Sequence, residues 1–561
     1  MMCTEAITFL HFLHNMIILK DHKDDKNNHD RKELHGSNDI SKNADSKNGH
    51  WNMNNKKKSI LITRERLQKQ IKKMEKIKRK VGIMILVGLL CFIFGISVGI
   101  LWPSLYKSIL TKEIVLSPNS TSFLMWKKTP IPMYLKIYLY NWTNHANIGE
   151  KPHFVQMGPY VFREVDYKVN QKWNKNNGTI SFQQKRVWYF LSSMSNGSLT
   201  DNVTNLNPIA ATIAYSVRHR NKIVKMFINK ALQKLETIVI TKSVKDILFD
   251  GYDDVLLKVV VDLNITKLPF DKFAWFYGRN GSESYDGTFN MLTGFDNIYD
   301  IGIIKSWKYN IISPYYSKSC GILQGTNGDL WPPLLNNKTV SLFSPDVCTM
   351  LSLKSNGNSE WLGLTGTKFI SDEDMFDNGT KVESKKCYCE GVDCQPSGVL
   401  NISLCKFGAP AFISLPHFYL ADESYRYNIS GMNPNKKDHE FILVIQPDTG
   451  IPMQVRAALQ INFLVQPDQG LSYFKDMPKM YIPMLWFTQE VNLSSEYASQ
   501  VKLLLMLPIL GTGILFFIAS VGLLLIIISI IMYLKQRLKY NENENLIPKE
   551  NGRETIANNE G

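Results

Sequence analysis

Histidine and cysteine are scarce in this chain, with 11 His and 8 Cys among 561 residues. The few present form no catalytic or metal-binding signature. DHEF at Asp438 is not the His-Glu-x-x-His of a zinc protease. The C-x-C…C stretch from Cys387 to Cys394 lacks the paired Cys-x2-Cys and His ligands of zinc modules. GTNGD at Gly325 has no following Lys-Ser/Thr, so it reads as a turn and not as a phosphate loop. GLSYF at Gly470 and GNSEW at Gly357 lack the closing glycine of a nucleophile elbow. His417, in SLPHFY, is a single histidine among apolar neighbours and reads as a satisfied structural residue. These absences point away from an enzyme, and no cofactor or metal is expected.

Charge is missing altogether from two stretches. Val81–Trp102 carries no charged residue, and at about 1.5 Å per helical residue it reaches roughly 33 Å, enough to cross a hydrocarbon core. Leu503–Leu534 is longer and equally free of charge, so it must tilt, bend near Pro508 or begin outside the bilayer. Both are expected to span. GISVG (Gly95–Gly99) matches the nucleophile elbow literally, but it lies inside the first span. Its glycines make better sense as a small-x3-small packing face against the second span.

What charge there is lies beside the spans. The net charge is +15, and residues 1–80 hold 19 Lys/Arg against 10 Asp/Glu. The cluster Lys56–Lys80 abuts the first span, and Lys535, Arg537 and Lys539 follow the second, which puts both termini in the cytosol. Leu67, Ile71 and Met74 are spaced helically, so this flank suits a surface of anionic lipid. Nucleic-acid binding is not supported.

Sequons and cysteines read topology independently. Twelve N-x-Ser/Thr sites, Asn119, Asn141, Asn177, Asn196, Asn202, Asn264, Asn280, Asn337, Asn378, Asn401, Asn428 and Asn492, all lie between the two spans. None lies in either tail, although both tails are rich in Asn. Cys3 and Cys91 stand apart. The other six, Cys320, Cys348, Cys387, Cys389, Cys394 and Cys405, are clustered in the same intervening segment, so three disulfides are expected there with the pairing left open.

The chain therefore divides into a cytosolic tail (1–80), a first span (81–102), an ectodomain (103–502), a second span (503–534) and a cytosolic tail (535–561). The first 55 residues are polar and read as disordered. Their apolar start, Ala6–Leu19, has neither the basic n-region nor the cleavage site of a signal peptide, and Met53 and Met74 offer alternative starts. VFREVDYKVN, TISFQQKRVWYF, LLKVVVDL, EFILVIQP and ALQINFLV read as strands. One helical block, about 208–249, interrupts them, with Ile213, Val217, Ile223, Met226, Phe227, Ala231, Leu232 and Leu235 recurring at helical spacings. The ectodomain is expected to be α+β with a mainly antiparallel sheet and a helical lobe.

Several motifs, taken in order, resemble the class B scavenger receptor family, which includes the lysosomal integral membrane protein and the insect croquemort and sensory-neuron membrane proteins. LYNWTN and Gly149–Glu164 come first, then Ile247–Asp254, Gly325–Pro333 and Phe343–Cys348. Cys387–Tyr419 follows, then SGMNP, QPDTG and LQINF. The resemblance implies an antiparallel β-barrel-like ectodomain with a helical bundle at its membrane-distal apex and an apolar tunnel. It also implies a function: binding lipids, lipoproteins or cell debris at the apex and passing lipid down the tunnel. A tunnel would spare an acyl chain about 0.8 kcal/mol of exposure per CH2. The family's disulfide pattern would pair Cys320–Cys387, Cys348–Cys405 and Cys389–Cys394.

On the same resemblance the helical block is the apex. It carries Arg218, Arg220, Lys222, Lys225, Lys230 and Lys234, a set that suits anionic particle surfaces. Lys234 aligns with a ligand-contacting lysine of the scavenger branch. The sequence departs from the family in its long N-terminal tail and in lacking cysteines after the second span, which leaves no site there for acylation. ENENLI fits an acidic dileucine sorting signal, with Glu542 four residues before Leu546 and Ile547. The expected residence is the plasma membrane, the endosome–lysosome membrane, or both. Two alternatives compete: a lysosomal sorting receptor for a luminal protein, and a two-span ligand-gated channel whose nearest pore candidate is Gly511–Gly513.

Overall fold

The computed structural model describes residues 54–545 apart from 148, 263–269, 334–337 and 390–393. The N-terminal tail to residue 53, Asn264, Asn337, Leu546 and Ile547 lie outside the described residues. The chain forms two compact units, 84–528 and a second made of the outer ends of both membrane helices.

Unit 84–528 is built on one large antiparallel sheet. Helix α1 (Asn54–Ile114) leads through α2 (Thr121–Lys127) to β1 (Met133–Trp142), β2 (Phe154–Asn174) and β3 (Thr179–Phe190). Next come β4 (Asn202–Leu206), α3 (Pro208–Val217), α4 (Lys222–Leu235), β5 (Val239–Ser243), a π-helical turn (Asp246–Asp250) and α5 (Val255–Asp262). Strands β6 (Thr288–Leu292), β7 (Ile304–Trp307), β8 (Thr339–Ser344), β9 (Thr349–Trp361) and β10 (Leu364–Ile370) follow. The chain then makes β11 (Leu400–Asn401), β12 (Ala411–Ser414), the short α6 (Lys436–His439), β13 (Ile442–Ile445), β14 (Pro452–Val465) and β15 (Met480–Asn492), before α7 (Ser495–Asn545).

The sheet runs β7-β6-β3-β2-β1-β15-β14-β13-β10-β9-β8, with β11 and β12 branching from β14. Its two edges nearly meet. Ile304 N–H donates to the Gly325 carbonyl, Thr326 N–H to Ser341 and Phe343 N–H to Thr326, so one extended residue bridges β7 and β8. A Cβ on Gly325 would lie 2.3 Å from the Ser341 oxygen, which is why glycine stands at this seam. GTNGD is thus the closing segment of the barrel rather than a free turn. The closure also removes edges that would otherwise be open to other strands.

The run LLKVVVDL is helical from Leu256 to Asp262, within Val255–Asp262, and not the expected strand. Asp254 Oδ1 accepts from Leu257 N–H at 2.9 Å and caps α5, and Leu256 and Leu257 bury into the main core. Capping and tertiary burial override the β preference of the three valines. The other quoted runs fall within or across β2, β3, β13 and β14.

Helices α1 and α7 each contain a segment long and apolar enough to cross a membrane. They pack through small residues. A Cβ on Gly88 would lie 2.8 Å from the Gly522 oxygen, and one on Gly95 would lie 2.5 Å from Leu515 O and 2.7 Å from Ala519 N. Above this seam Pro508 supplies no N–H to the Leu504 carbonyl one turn back, and the Tyr106 hydroxyl donates to that carbonyl at 2.5 Å. Trp102 Nε1 donates to Leu507 O at 3.2 Å across Gly511, where a Cβ would meet the indole. Ser97 is exposed, and its Oγ bonds back to Ile93 O at 2.6 Å within its own helix. The serine of the apparent elbow therefore faces outwards, while its glycines face the partner helix.

Substituting Gly95 with valine is expected to lower the thermal unfolding midpoint of the full chain in lipid nanodiscs, because the added atoms meet backbone. Ser97→Val, on the outward face, is expected to leave the stability within about 0.5 kcal/mol of wild type. Equal effects from the two would refute the packed seam.

Candidate functional site

The site is the pair of helices at the end of the barrel where β15 begins, about 40 Å along that strand from the start of α7. The sequence NPIAATIAYSV starts a helix firmly. Asn207 Oδ1 accepts from the N–H groups of Ile209 and Ala210, and Pro208 takes the first turn, where its missing donor costs nothing. Helix α3 is then buried along most of its length through Ile209, Ala210, Ala211, Ala214 and Val217. After a tight reversal Asn221 Oδ1 caps α4 at Val224 N–H.

Helix α4 is built differently, since Leu232 is its sole fully buried residue. Its outward stripe runs Ile223, Met226, Phe227, Lys230 and Lys234, spaced three or four apart so that they share one face. Ile223 is 65% exposed and Phe227 63%. The face is therefore apolar at its N-terminal half and cationic at its C-terminal half. Sequence periodicity marks these apolar residues as helical but does not reveal that Ile223, Met226 and Phe227 point away from the core.

The six basic candidates separate into two groups. Arg220, Lys222, Lys230 and Lys234 are exposed. Lys225 is committed to Asp468 at 2.6 Å, and Asn229 exchanges hydrogen bonds with Ser472, so both tie α4 to the β14–β15 connection. Arg218 stacks its guanidinium 3.6 Å from the centre of the Tyr215 ring and donates to the Tyr215 carbonyl. It lines a small cleft of about 20 Å³ between α3 and the end of β14 with the connection that follows it, with Ala211, Ala214, Leu464, Leu471 and Phe474 among the walls.

Deeper in the barrel His417 is fully satisfied. Its Nδ1 accepts from Asn433 N–H at 3.1 Å and its Nε2 meets Gln156 Oε1 at 2.8 Å, an oxygen that also accepts from Trp486 Nε1. His439 stacks on it with ring centres 4.4 Å apart, and its own Nδ1 accepts from Asn435 N–H. Burial, and next the neighbouring His439, pushes His417 down to about 3. Burial pushes His439 down to about 4, with Asp438 opposing and Arg456 adding to the shift. Neither ring is placed for base chemistry, since both act as acceptors for backbone donors.

A model of the CD36 family matches residues 86–533, nearly the whole of this architecture. The chain belongs to the CD36 family. Among its relatives, Protein peste of Drosophila melanogaster is 37% identical over 445 residues, covering 77% of this chain and 79% of the relative. Scavenger receptor class B member 1 of Bos taurus is 31% identical over 461 residues, covering 81% and 89%. Lysosome membrane protein 2 of Homo sapiens is 31% identical over 418 residues, covering 73% and 85%.

In this CD36-family structure Cys320 is bonded to Cys387, Cys348 to Cys405 and Cys389 to Cys394, with Cα–Cα distances of 5.8, 6.3 and 5.2 Å. Asn119, Asn177, Asn196, Asn202, Asn280, Asn401, Asn428 and Asn492 are exposed, and Asn141 is half-buried in β1. Asn378 differs. It is buried, and its Nδ2, the atom that would carry a glycan, donates to the Gln395 carbonyl. The folded chain does not present that sequon. Glu542 lies near the end of α7.

The stacked histidines give the protein a signed pH response. Unfolded imidazoles take up protons below about pH 6.5 while the buried pair stays neutral to about pH 4, so in this window the unfolded state binds more protons and stability falls on acidification. The expected loss is about 2 kcal/mol per ring between pH 7 and pH 5. Thermal unfolding at the two pH values should show a shallower loss for His417→Asn, which keeps an acceptor for Asn433. An unchanged slope in that variant would sink the assignment.

Proposed function

We propose that this chain is a scavenger-type membrane receptor that binds lipid, lipoprotein or cell-debris surfaces through α4 and passes lipid through its ectodomain to the bilayer. The observation that carries the reading is the exposed stripe on α4. Three large apolar side chains in water beside four exposed cations form an interfacial face, apolar groups for acyl chains and cationic groups for headgroup phosphate or carboxylate. Membership of the CD36 family, and relatives named scavenger receptors, support the receptor part. The transfer part is supported by the two apolar helices, one at each end of the ectodomain, that hold the far end of the barrel at a membrane. The protein is read as non-catalytic, residing at the cell surface, in endolysosomal membranes, or in both.

A second reading has its own support. Lysosome membrane protein 2 is among the relatives. With Glu542–Ile547 as a sorting signal, the same face would carry a luminal protein to lysosomes. Mutating Leu546 and Ile547 should then raise surface labelling. The channel alternative has less support, because Gly511 of its pore candidate Gly511–Gly513 is packed against the Trp102 indole and the relatives include proteins named scavenger receptors.

Replacing Arg220, Lys222, Lys230 and Lys234 together with glutamate is expected to weaken binding of the purified full chain to phosphatidylserine vesicles at least about tenfold. Each lysine beside an anionic surface is worth about 1 kcal/mol, and the loss should shrink at high salt. Vesicle flotation checks this, and undiminished binding would overturn the α4 face. Mass spectrometry of lipids co-purifying with the full chain tests transfer, and a lipid-free protein would count against it.

A further inference from the structure

The charge-free runs define where the membrane surface meets the ectodomain. On α1 the first charged residue beyond the span is Lys107, and on α7 the last one before the span is Lys502. The two boundaries are level, because the Tyr106 hydroxyl bonds the Leu504 carbonyl and Trp102 Nε1 bonds the Leu507 carbonyl. Trp102 and Tyr106 are also of the residue types that collect at the headgroup level, apolar rings with one polar atom.

One hairpin of the ectodomain comes down to this plane. Strands β9 and β10 are joined by a two-residue turn, Leu362–Gly363, with Trp361 opposite Leu364. A Cβ on Gly363 would run into the Lys502 ammonium, so the turn lies against the last charge before the span. The hairpin is anchored there. Trp361 Nε1 donates to the Leu493 carbonyl at 2.9 Å, and Leu364 shares a small core with Val444, Met453, Leu493, Ala498 and Val501. Leu505, already inside the charge-free run, packs against the same core.

The residue at the tip is unusual for its place. Both turn positions have positive φ, 50° at Leu362 and 73° at Gly363. Such tight hairpin turns ordinarily take Asn-Gly or Asp-Gly, since a leucine is strained at a left-handed φ. Leu362 is also 45% exposed, so packing within the protein does little to offset that strain. Its surroundings fit a lipid–water boundary. Lys502 beside the turn offers an ammonium to headgroup phosphate, while Glu360 and Thr365, one step up the hairpin, are exposed and keep entry shallow.

We infer that the β9–β10 tip is a third membrane contact, with Leu362 seated in the headgroup–acyl boundary of the extracytoplasmic leaflet beside the second span. There the leucine side chain leaves water, which the protein alone does not achieve. The contact also has a mechanical use. Helix α1 meets α7 at Leu504, the hairpin core meets it at Leu505, and successive helical residues point about 100° apart. The hairpin therefore stands off the line through the two spans. A contact off that line fixes the tilt of the barrel, where the paired spans alone leave it free to rock. This contact is independent of what α4 binds.

The test uses the full chain in lipid nanodiscs, carrying Cys3→Ser and Cys91→Ala, with the environment-sensitive dye NBD on Leu362→Cys. Its emission is expected to shift to the blue, to be quenched by lipids bearing a nitroxide near the top of the acyl chain, and to resist aqueous iodide. The same dye on Asn358→Cys, exposed further up the same hairpin, is expected to stay open to iodide and out of reach of the lipid quencher. Iodide access at Leu362 equal to that at Asn358 overturns the contact. So does shielding from iodide without lipid quenching, which would mean that a second copy of the protein covers the tip. Equal lipid quenching at both sites also overturns it, since the dye itself is then entering the bilayer. The unlabelled wild-type chain is read in parallel with a phosphatidylcholine that carries a photoreactive diazirine on its acyl chain. Mapped adducts are expected on Trp361–Leu364 as well as on both spans. Adducts on the spans alone overturn the contact, even if the labelled variant fails to fold.

Discussion

The strand that follows the first membrane helix pairs directly with the strand that precedes the second. Met133 lies opposite Val491, and the antiparallel register continues without a break to Leu139 opposite Leu485. Because β1 and β15 are neighbours, α1 and α7 arrive side by side and must pack or leave a void. Gly88, Gly95, Ala519 and Gly522 let them pack backbone to backbone, which matters where lipid offers no hydrophobic gain for association. The same strand pair reaches the opposite end of the barrel. There Asn205 Nδ2 donates to the carbonyls of Tyr140 and Pro483, and Thr204 N–H donates to Asn141 Oδ1, so the foundation of the α3–α4 lobe hangs on the far ends of β1 and β15.

Buried charge secures the other side of the barrel. Arg279 bonds Asp286 at 2.9 Å and Asp346 at 2.7 Å, while Arg186 lies between Asp286 and Glu164. Glu164 also accepts from Trp188 Nε1. In the adjoining group Lys168 of β2 joins Asp166 to Asp329, and Asp329 belongs to the segment that closes the sheet at Thr326. Such groups give little net stability compared with apolar packing, but removing one partner leaves an unpaired buried charge worth about 3–5 kcal/mol. They specify the closing segment more than they strengthen it: any other register would strand Lys168 without its carboxylates.

What the sequence makes legible is what depends on local chemistry. The spans follow from missing charge, and β3 is readable to its last residue because TISFQQKRVWYF alternates and is rich in β-branched and aromatic residues. The π-helical turn and α5 are not readable, since their helicity comes from Asp254 and from burial against distant residues. Barrel closure at Thr326 is invisible because it joins three segments far apart in the chain. The α4 face is half legible: the cations are plain, but the apolar period of Ile223, Met226 and Phe227 is the same whether that side faces core or water. Asn378 shows the converse, a valid sequon that tertiary packing turns inward.

How α4 is attached bears on its use. A helix with one completely buried residue, Leu232, and two half-buried ones, Ile228 and Ala231, takes little of its position from the core, so polar ties add to it: Lys225 to Asp468, Asn229 to Ser472, and Glu236 to Asn207. Each tie is worth about 1–3 kcal/mol at most, well below the cost of opening the barrel. Helix α4 is therefore the element whose position can change without disturbing the strands beneath it. An outer helix held in this way can shift a little while the strands under it stay paired. The ectodomain thus combines a barrel fixed by strand pairing and buried charge with an outer helix held mainly by a few polar ties.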